Sequence, residues 1–273
     1  MKNTLPKVHS SDVLTLGQFD FLAGKLPRPR ADTGRPAYPN ELLLPGILKV
    51  LRSGSRWRDL DHPGFPSGVT HWRRLRFWQE KACLWPIWKL LLKLLAGKHQ
   101  INLEAVKLDG TLVSSYRFQS CTGYSGRHNR TGVKVSAAVD ANGLPLAVKL
   151  AAGNTADVDL AAATIQKIKV GHKTRPKIVL ADKGYDSTRF RRGLRKRGIK
   201  ANIPERVYGH RRKIGRPPNY DPVLGKSRYY VERTNAWMKS FRRIHFRYDR
   251  TLPMFKAFVQ LACIVILVRR LLP

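Results

Sequence analysis

Eighteen Asp and Glu stand among 52 Lys and Arg in this chain of 273 residues, so the places where carboxylates occur carry information. Most have ordinary explanations. Asp140 belongs to an Asp-Ala-Asn-Gly turn, and Asp157 and Asp159 open a helical stretch, where negative charge suits the helix N-terminus. Asp186 precedes another helix as a cap, while Glu205 and Asp221 lie in or beside a basic loop and pair with its cations. Three carboxylates differ. Asp109 interrupts the apolar run Ala105-Val106-Lys107-Leu108 and is followed by Gly110, which clears space beside it. Asp182 closes the run Lys177 to Ala181, and strand ends are where open α/β sheets gather ligands. Glu232 lies in a helical stretch from Ser227 to Ile244. At about 100° per residue it shares a stripe with Arg228, Ala236, Lys239 and Arg243, opposite Tyr230, Thr234, Trp237, Phe241 and His245.

Each of the three, taken alone, has a bland reading: a buried Asp with a satisfied partner, a loop Asp, and a Glu bracketed by Arg228 at i−4. Taken together they would repel one another and raise one another's pKa. Divalent cations remove that cost. Mg²⁺ takes hard oxygen ligands, keeps several waters and shares its coordination with phosphate oxygens. Two such ions about 3.5–4 Å apart serve in-line phosphoryl displacement.

The elements that would carry these residues follow from the pattern. The run Leu42 to Leu51 has helical spacing and stops at Ser53-Gly54, with Pro45 expected in a first turn or at a kink. Further helices are expected over Val69 to Lys81 and Leu84 to Leu95. After Gln100 the pattern changes to strands: Ala105 to Val113, Gly132 to Val139 and Leu144 to Leu150, the last two joined through Asn142-Gly143, a strong hairpin signal. A helix from Asp157 to Lys169, a strand Lys177 to Ala181, a helix Ser187 to Arg197, a strand Lys200 to Ile203 and the helix Ser227 to Ile244 complete the order, before a last apolar helix from Met254 to Leu272. The order β-β-β-α-β-α-β-α is that of a ribonuclease-H-like fold, an α/β mixed sheet with flanking helices. We expect a helical part over 1–100 and the mixed sheet over 101–273.

The formal net charge of +34 points to a polyanionic partner. Arg73 and Arg74 sit between tryptophans in the N-terminal helices, which suits either a DNA-binding bundle or a basic face at a dimer contact. Residues 189–216 hold twelve Lys or Arg and one acidic residue. Within them Arg211-Arg212-Lys213-Ile214-Gly215-Arg216-Pro217-Pro218 reads either as a minor-groove hook or as a phosphate-contacting loop. The stretch Ser114 to Arg130 is long for a hairpin loop, and we expect DNA contact there. Cys83, Cys121 and Cys263 form no CxxC pair, which fits a reducing compartment and gives no zinc spacing. The N-terminus lacks the apolar stretch of a signal peptide. The most apolar run, Ala257 to Val268, is short of the roughly 20 residues of a span, so a buried helix is expected. The scattered basic residues argue against a membrane-surface role.

The segment RYYVERTNAWMKSFRRIHFRYDR from Arg228 to Arg250 resembles the C-terminal signature of bacterial insertion-sequence transposases of the DDE class, closest to insertion-sequence family five and its relative family four. In that signature an Arg precedes the catalytic Glu by four positions and a Lys follows it by seven, here Arg228, Glu232 and Lys239. VKLDGTLV around Asp109 and VLADKGYDS around Asp182 resemble the first and second catalytic strands. AVDANGLPLAVKLAAGNTADVDL, LRSGSRWRDL and HWRRLRFWQEKACLW resemble further family segments, so the likeness runs from about Leu43 to Leu272. Where family members often carry Tyr three positions before the Arg, this chain has Gly225. The resemblance implies a transposase with Asp109, Asp182 and Glu232 as catalytic residues and ligands of Mg²⁺, with Mn²⁺ as a substitute. It also implies terminal inverted repeats and target DNA as partners, a homo-oligomer that synapses two ends, and a place in the bacterial cytoplasm at the nucleoid. Arg228, Lys239, Arg243, Arg211, Arg212, Lys213, Arg216, Arg73 and Arg74 are the expected DNA-contact residues. The alternatives are an inactive or domesticated DNA-binding protein on the same fold, and a nuclease that cuts without joining.

Overall fold

The computed structural model describes residues 13–30, 36–117, 119–172, 175–207 and 217–273. Arg211, Arg212, Lys213 and Arg216, and with them the expected minor-groove hook, lie outside the described residues. Four helices come first: α1 (Leu16–Lys25), α2 (Asn40–Ser53), α3 (Gly68–Glu80) and α4 (Leu84–Gly97). The reciprocal hydrogen bonds of Thr15 and Gln18 start α1, an element the sequence pattern did not announce. Gly54, at φ +70°, ends α2 in the left-handed conformation. Pro45 lies inside α2, because that helix begins two residues before the apolar run.

The sheet follows. Strands β1 (Ala105–Ser115), β2 (Gly123–Ser125), β3 (Arg130–Val139) and β4 (Pro145–Ala152) lead through α5 (Asp157–Gln166) to β5 (Ile178–Leu180), α6 (Thr188–Lys196) and β6 (Lys200–Asn202). The chain closes with α7 (Pro222–Lys226), α8 (Tyr229–Ser240), α9 (Arg242–His245), the two-residue β7 (Phe246–Arg247) and α10 (Leu252–Leu271). β1 is central. It pairs antiparallel with β3 and parallel with β5, β4 lies beyond β3 and β6 beyond β5, and the short β2 and β7 extend β3 and β1. The order β4-β3-β1-β5-β6, a three-stranded meander followed by two crossovers, is the ribonuclease-H-like sheet, as expected.

One hydrophobic core runs through the molecule. Leu22, Trp78 and Trp88 of the first helices belong to the same buried cluster as Val106 and Val135 of the sheet and Phe258 of α10. Every residue from Ala257 to Val268 is buried. α10 is long and apolar enough to cross a bilayer, but that surface is spent on α3, α4 and β4. Three polar ties join first helices to last. Gln18 Nε2 donates to the Leu272 carbonyl, Lys98 Nζ to that of Leu271, and Arg269 to that of Val13.

Candidate active site

Asp109 stands in the middle of β1. The parallel register of β1 and β5 pairs Lys107 with Leu180. Two residues beyond that pair stand Asp109 on β1 and Asp182 just past the end of β5, near enough for the Asp182 charge to act on Asp109. Asp182 has left the strand. Its Oδ1 accepts from Gly184 N at 2.8 Å and caps the turn over Lys183–Tyr185. The third carboxylate comes from α8, which is seated on the sheet through the β3–β4 hairpin. Thr234 Oγ1 donates to the Gly143 carbonyl, and Arg233 Nη2 to that of Asn142 at 2.8 Å. Gly143 has φ +90°, and a Cβ there would stand 3.2 Å from atoms of Tyr230, Arg233 and Thr234. The hairpin therefore needs glycine both for its turn and for the approach of α8.

So seated, α8 reaches β1 directly, Asn235 Nδ2 donating to Asp109 Oδ2 at 3.0 Å. Burial pushes the Asp109 carboxyl up to about 6; the Gly110 amide and Arg228 oppose this, and the charges of Asp182 and Glu232 add to it. Glu232 is exposed and meets Arg228 at 3.4 Å, an i,i+4 contact. Lys239 is half-buried. Desolvation lowers its pKa, and the Asp109 charge acts in the opposite direction. Asp109, Asp182, Glu232, Arg228 and Lys239 thus surround one electrostatic site. They do not form a closed cage, since among the described residues no three His, Cys, Asp or Glu side chains converge closely enough to hold a metal ion.

The donor set still fits a hard divalent cation. It offers carboxylate oxygens only, on β1, in the turn that follows β5 and on a facing helix. Glu232 is tied to the surface by an exposed ion pair of a few tenths of a kcal/mol, so turning it toward Asp109 costs little. Buried polar atoms beside Asp109, Oδ1 of Asn235 and of Asp157 and the Tyr185 hydroxyl, hold no hydrogen bond among the described residues. A site that leaves buried polar groups unsatisfied is incomplete as it stands.

Two residues expected to touch DNA have other positions. Arg74 is buried, with Nη1 donating to Asn40 Oδ1 and Nη2 to the Tyr38 carbonyl at 2.7 Å. Asn40 in turn donates to the carbonyls of Ala23 and Leu26, so Arg74 clamps α3, α2 and the end of α1. Arg243 is also buried. The expected single helix from Ser227 to Ile244 breaks at Phe241, which is extended and packs into the core. Arg243 leaves the Glu232 stripe, pairs with Asp249 at 3.0 Å, donates to the Ser55 carbonyl at 3.2 Å and lies against the Phe258 and Trp57 rings. Arg73, by contrast, is exposed on α3. The buried face of α8 is Val231, Thr234, Asn235 and Met238, leaving Trp237 exposed.

Asp140 keeps its turn role and accepts backbone N–H bonds from Asn102, Asn142 and Leu144. The space beside Gly225, where the family often has Tyr, is filled by the hydroxyl of Tyr220. The sequence pattern gives no chemical role to Asn235, Tyr185 or Asp157. Asp157 was hidden by its place at a helix start, although the Gly that follows Asp109 marks a close approach. Its Oδ1 would overlap a Cβ at Gly110.

The sheet order defines a class, the ribonuclease-H-like proteins. The comparisons with known proteins narrow it. Residues 103–267 match the family described as "Transposase DDE domain", and residues 14–88 the family described as "Putative transposase of IS4/5 family". The chain belongs to the DDE transposase family. A relative from Burkholderia cepacia, named as a transposase for insertion sequence element IS402, is 41% identical over 143 residues, covering 50% of this chain and 63% of the relative. A second protein of that element, named as uncharacterized and of 16.2 kDa, is 41% identical over 88 residues, covering 32% of this chain and 60% of its own length. A relative from Brucella ovis, named as a transposase for IS6501, is 35% identical over 137 residues, covering 50% of this chain and 98% of that relative. The chain thus spans somewhat under two thirds of the IS402 proteins. Family membership implies dependence on a divalent metal ion.

Proposed function

We propose that this chain is a DNA transposase that binds the terminal inverted repeats of an insertion sequence, hydrolyses the phosphodiester at the element's end and joins the freed 3′-hydroxyl to target DNA. The observation that carries the reading is the half-buried Asp109 on the central strand, inside one electrostatic site with Asp182, Glu232, Arg228 and Lys239. Asp109, Asp182 and Glu232 would hold Mg²⁺, or Mn²⁺ in its place. When bound, the cation activates the attacking water and stabilises the leaving oxygen of an in-line displacement.

The rest is positioning. The sheet fixes Asp109, and the Gly184 amide bond orients Asp182. Arg228, half-buried with Nε unpartnered among the described residues, has donors to offer a phosphate beside Glu232. Lys239 is a point charge near Asp109, suited to a non-bridging phosphate oxygen. The basic residues of 189–216, Arg211, Arg212, Lys213 and Arg216 among them, would follow the DNA backbone with Arg73 on the helical part. Residues 1–100 would serve DNA binding and 101–273 catalysis, with a homo-oligomer synapsing the element's ends in the bacterial cytoplasm at the nucleoid.

The test is Mg²⁺-dependent cleavage and strand transfer on DNA carrying the element's ends, comparing wild type with Asp182→Asn and Glu232→Gln. Cutting and joining that both variants lose while retaining DNA binding is the expected result. Binding without chemistry in the wild type, on verified ends with either metal, would make the chain an inactive or domesticated DNA-binding protein; cutting without joining would make it a nuclease.

A further inference from the structure

Three polar atoms buried around Asp109 have no partner among the described residues: Oδ1 of Asp157, the Tyr185 hydroxyl and Oδ1 of Asn235. Tyr185 is 2% and Asn235 6% exposed, so bulk water does not satisfy them. Leaving a buried polar group unpaired costs roughly 1–3 kcal/mol, and three together ask for a common explanation. They lie about one stretch of β1, Asn235 on the α8 face with the Asp109 carboxyl, and Asp157 and Tyr185 beside Gly110 on the α5 face. A Cβ on Gly110, the residue after Asp109, would overlap Asp157 Oδ1 and stand 3.3 Å from the Tyr185 oxygen. Asn235 bonds Asp109 through Nδ2, which leaves its Oδ1 beside that carboxyl with nothing to accept from.

These groups are also held in place. Asp157 opens α5, and its Oδ2 is gripped at 3.2 Å by Lys134 Nζ, itself anchored at 2.7 Å on the Thr155 carbonyl. With Oδ2 engaged, Oδ1 is the oxygen left beside Gly110. Tyr185 is fixed by the turn that Asp182 caps. The shell therefore presents two fixed acceptors and a phenol that can donate or accept. Water molecules match that set, since a buried water needs two to four polar partners. Waters on a divalent cation match it better, because they are strong donors at fixed positions and such an ion keeps several of them. Outer partners of this kind orient a metal site, and losing one typically weakens metal binding about 10–100-fold.

We propose that Asp157, Tyr185 and Asn235 are positioning residues that receive the water ligands of the divalent cation on the Asp109 side, without ligating the ion themselves. The proposal rests on the metal reading given above. It explains why Gly follows Asp109, because any side chain there would fill the space between Asp157 and Tyr185.

The test is Mn²⁺ binding to the DNA-free full chain, read from the free-ion electron paramagnetic resonance signal, with thermal unfolding measured in a chelator. Wild type, Asp157→Asn, Tyr185→Phe and Asp182→Asn are compared. The expected result is Mn²⁺ binding weakened about tenfold or more in Asp157→Asn and Tyr185→Phe, with Tyr185→Phe as stable as wild type without metal, and no measurable binding in Asp182→Asn. Tyr185→Phe removes only an oxygen that holds no bond, so a merely structural residue would leave Mn²⁺ affinity unchanged. It also decides the matter should Asp157→Asn unfold for want of a partner to Lys134. Unchanged affinity in Tyr185→Phe and in any folded Asp157→Asn, beside its loss in Asp182→Asn, would overturn the outer shell and leave the ligands standing. A wild type that binds no Mn²⁺, or an Asp182→Asn that binds it normally, would overturn the ligand assignment and the shell with it.

Discussion

Asp109 holds its charge at a cost to the fold. Burial raises its pKa to about 6 in the folded protein, against about 3.9 in an unfolded chain. The sign follows from the protons bound. Below about pH 4 both states are protonated and the group's contribution is fully present. Between about 4 and 6 the unfolded chain releases its proton while the folded one keeps it, so stability falls as pH rises, and the loss is complete above about 6. Two units amount to roughly 3 kcal/mol at most. Asp109→Asn removes this cost and leaves an amide oxygen for Asn235 to bond. We expect the variant, stripped of metal, to melt several degrees above wild type at pH 7, and the gap to close as pH falls through 5. Differential scanning calorimetry in a chelator checks it, and equal melting at pH 7 would show that Asp109 sits in a wetter site than its burial indicates. The same variant should lose cleavage, which separates the group's catalytic use from its effect on stability.

At the scale of elements, the β3–β4 hairpin is the part that aims α8. Gly143 combines φ +90° with neighbours at 3.2 Å, whereas Gly171 has φ +57° and nothing within 4 Å of a built Cβ. Gly171→Ala should therefore cost only the backbone term, about 1 kcal/mol, and Gly143→Ala that term plus crowding, about 2–3 kcal/mol in all. Only the second should also reduce cleavage, because Asn235 and Glu232 move with α8. Equal melting and activity for the two variants would mean that α8 is held elsewhere. The hairpin itself was legible from Asn142-Gly143 between apolar runs, and the meander with its crossovers from strand periodicity. The end of α8 was not. Residues 227–245 keep helical spacing throughout, and nothing local announces that Arg243 will leave to pair with Asp249 and reach Ser55. The buried face of α8 is hard to read for a related reason. Aromatic Trp237 is exposed, while the sheet takes polar Thr234 and Asn235 to bond Gly143 and Asp109, partners about a hundred residues away. Short β2, β7 and α7 depend on such contacts too, having little pattern of their own.

For the whole molecule, the question is how a net charge of +34 divides between holding the fold and holding a polyanion. Charge alone assigns every Arg to the surface, yet Arg247 is fully buried and bonds the Ser120, Asp249 and Arg250 carbonyls, and Arg74 and Arg243 are likewise internal. Neighbours in sequence, Arg73 and Arg74, therefore fall on opposite sides of the division. Removing Arg74 strands the Asn40 oxygen inside the protein, so Arg74→Ala should lower stability by about 2–4 kcal/mol. Arg73 is exposed, and Arg73→Ala should leave the melting temperature within about a degree. DNA binding is expected to separate them in the reverse order. Each phosphate neutralised contributes about −0.9 to the slope of log affinity against log salt. Titrating DNA at several salt concentrations should give Arg73→Ala a slope shallower by about one, with affinity lowered on specific and unrelated duplexes alike. Arg74→Ala, measured well below its melting temperature, should keep the wild-type slope. A wild-type slope for Arg73→Ala would place the basic face of α3 at a protein contact and leave DNA binding to the sheet-bearing part. A shallower slope for folded Arg74→Ala would mean that this buried cation orients a phosphate-binding surface as well as clamping three helices.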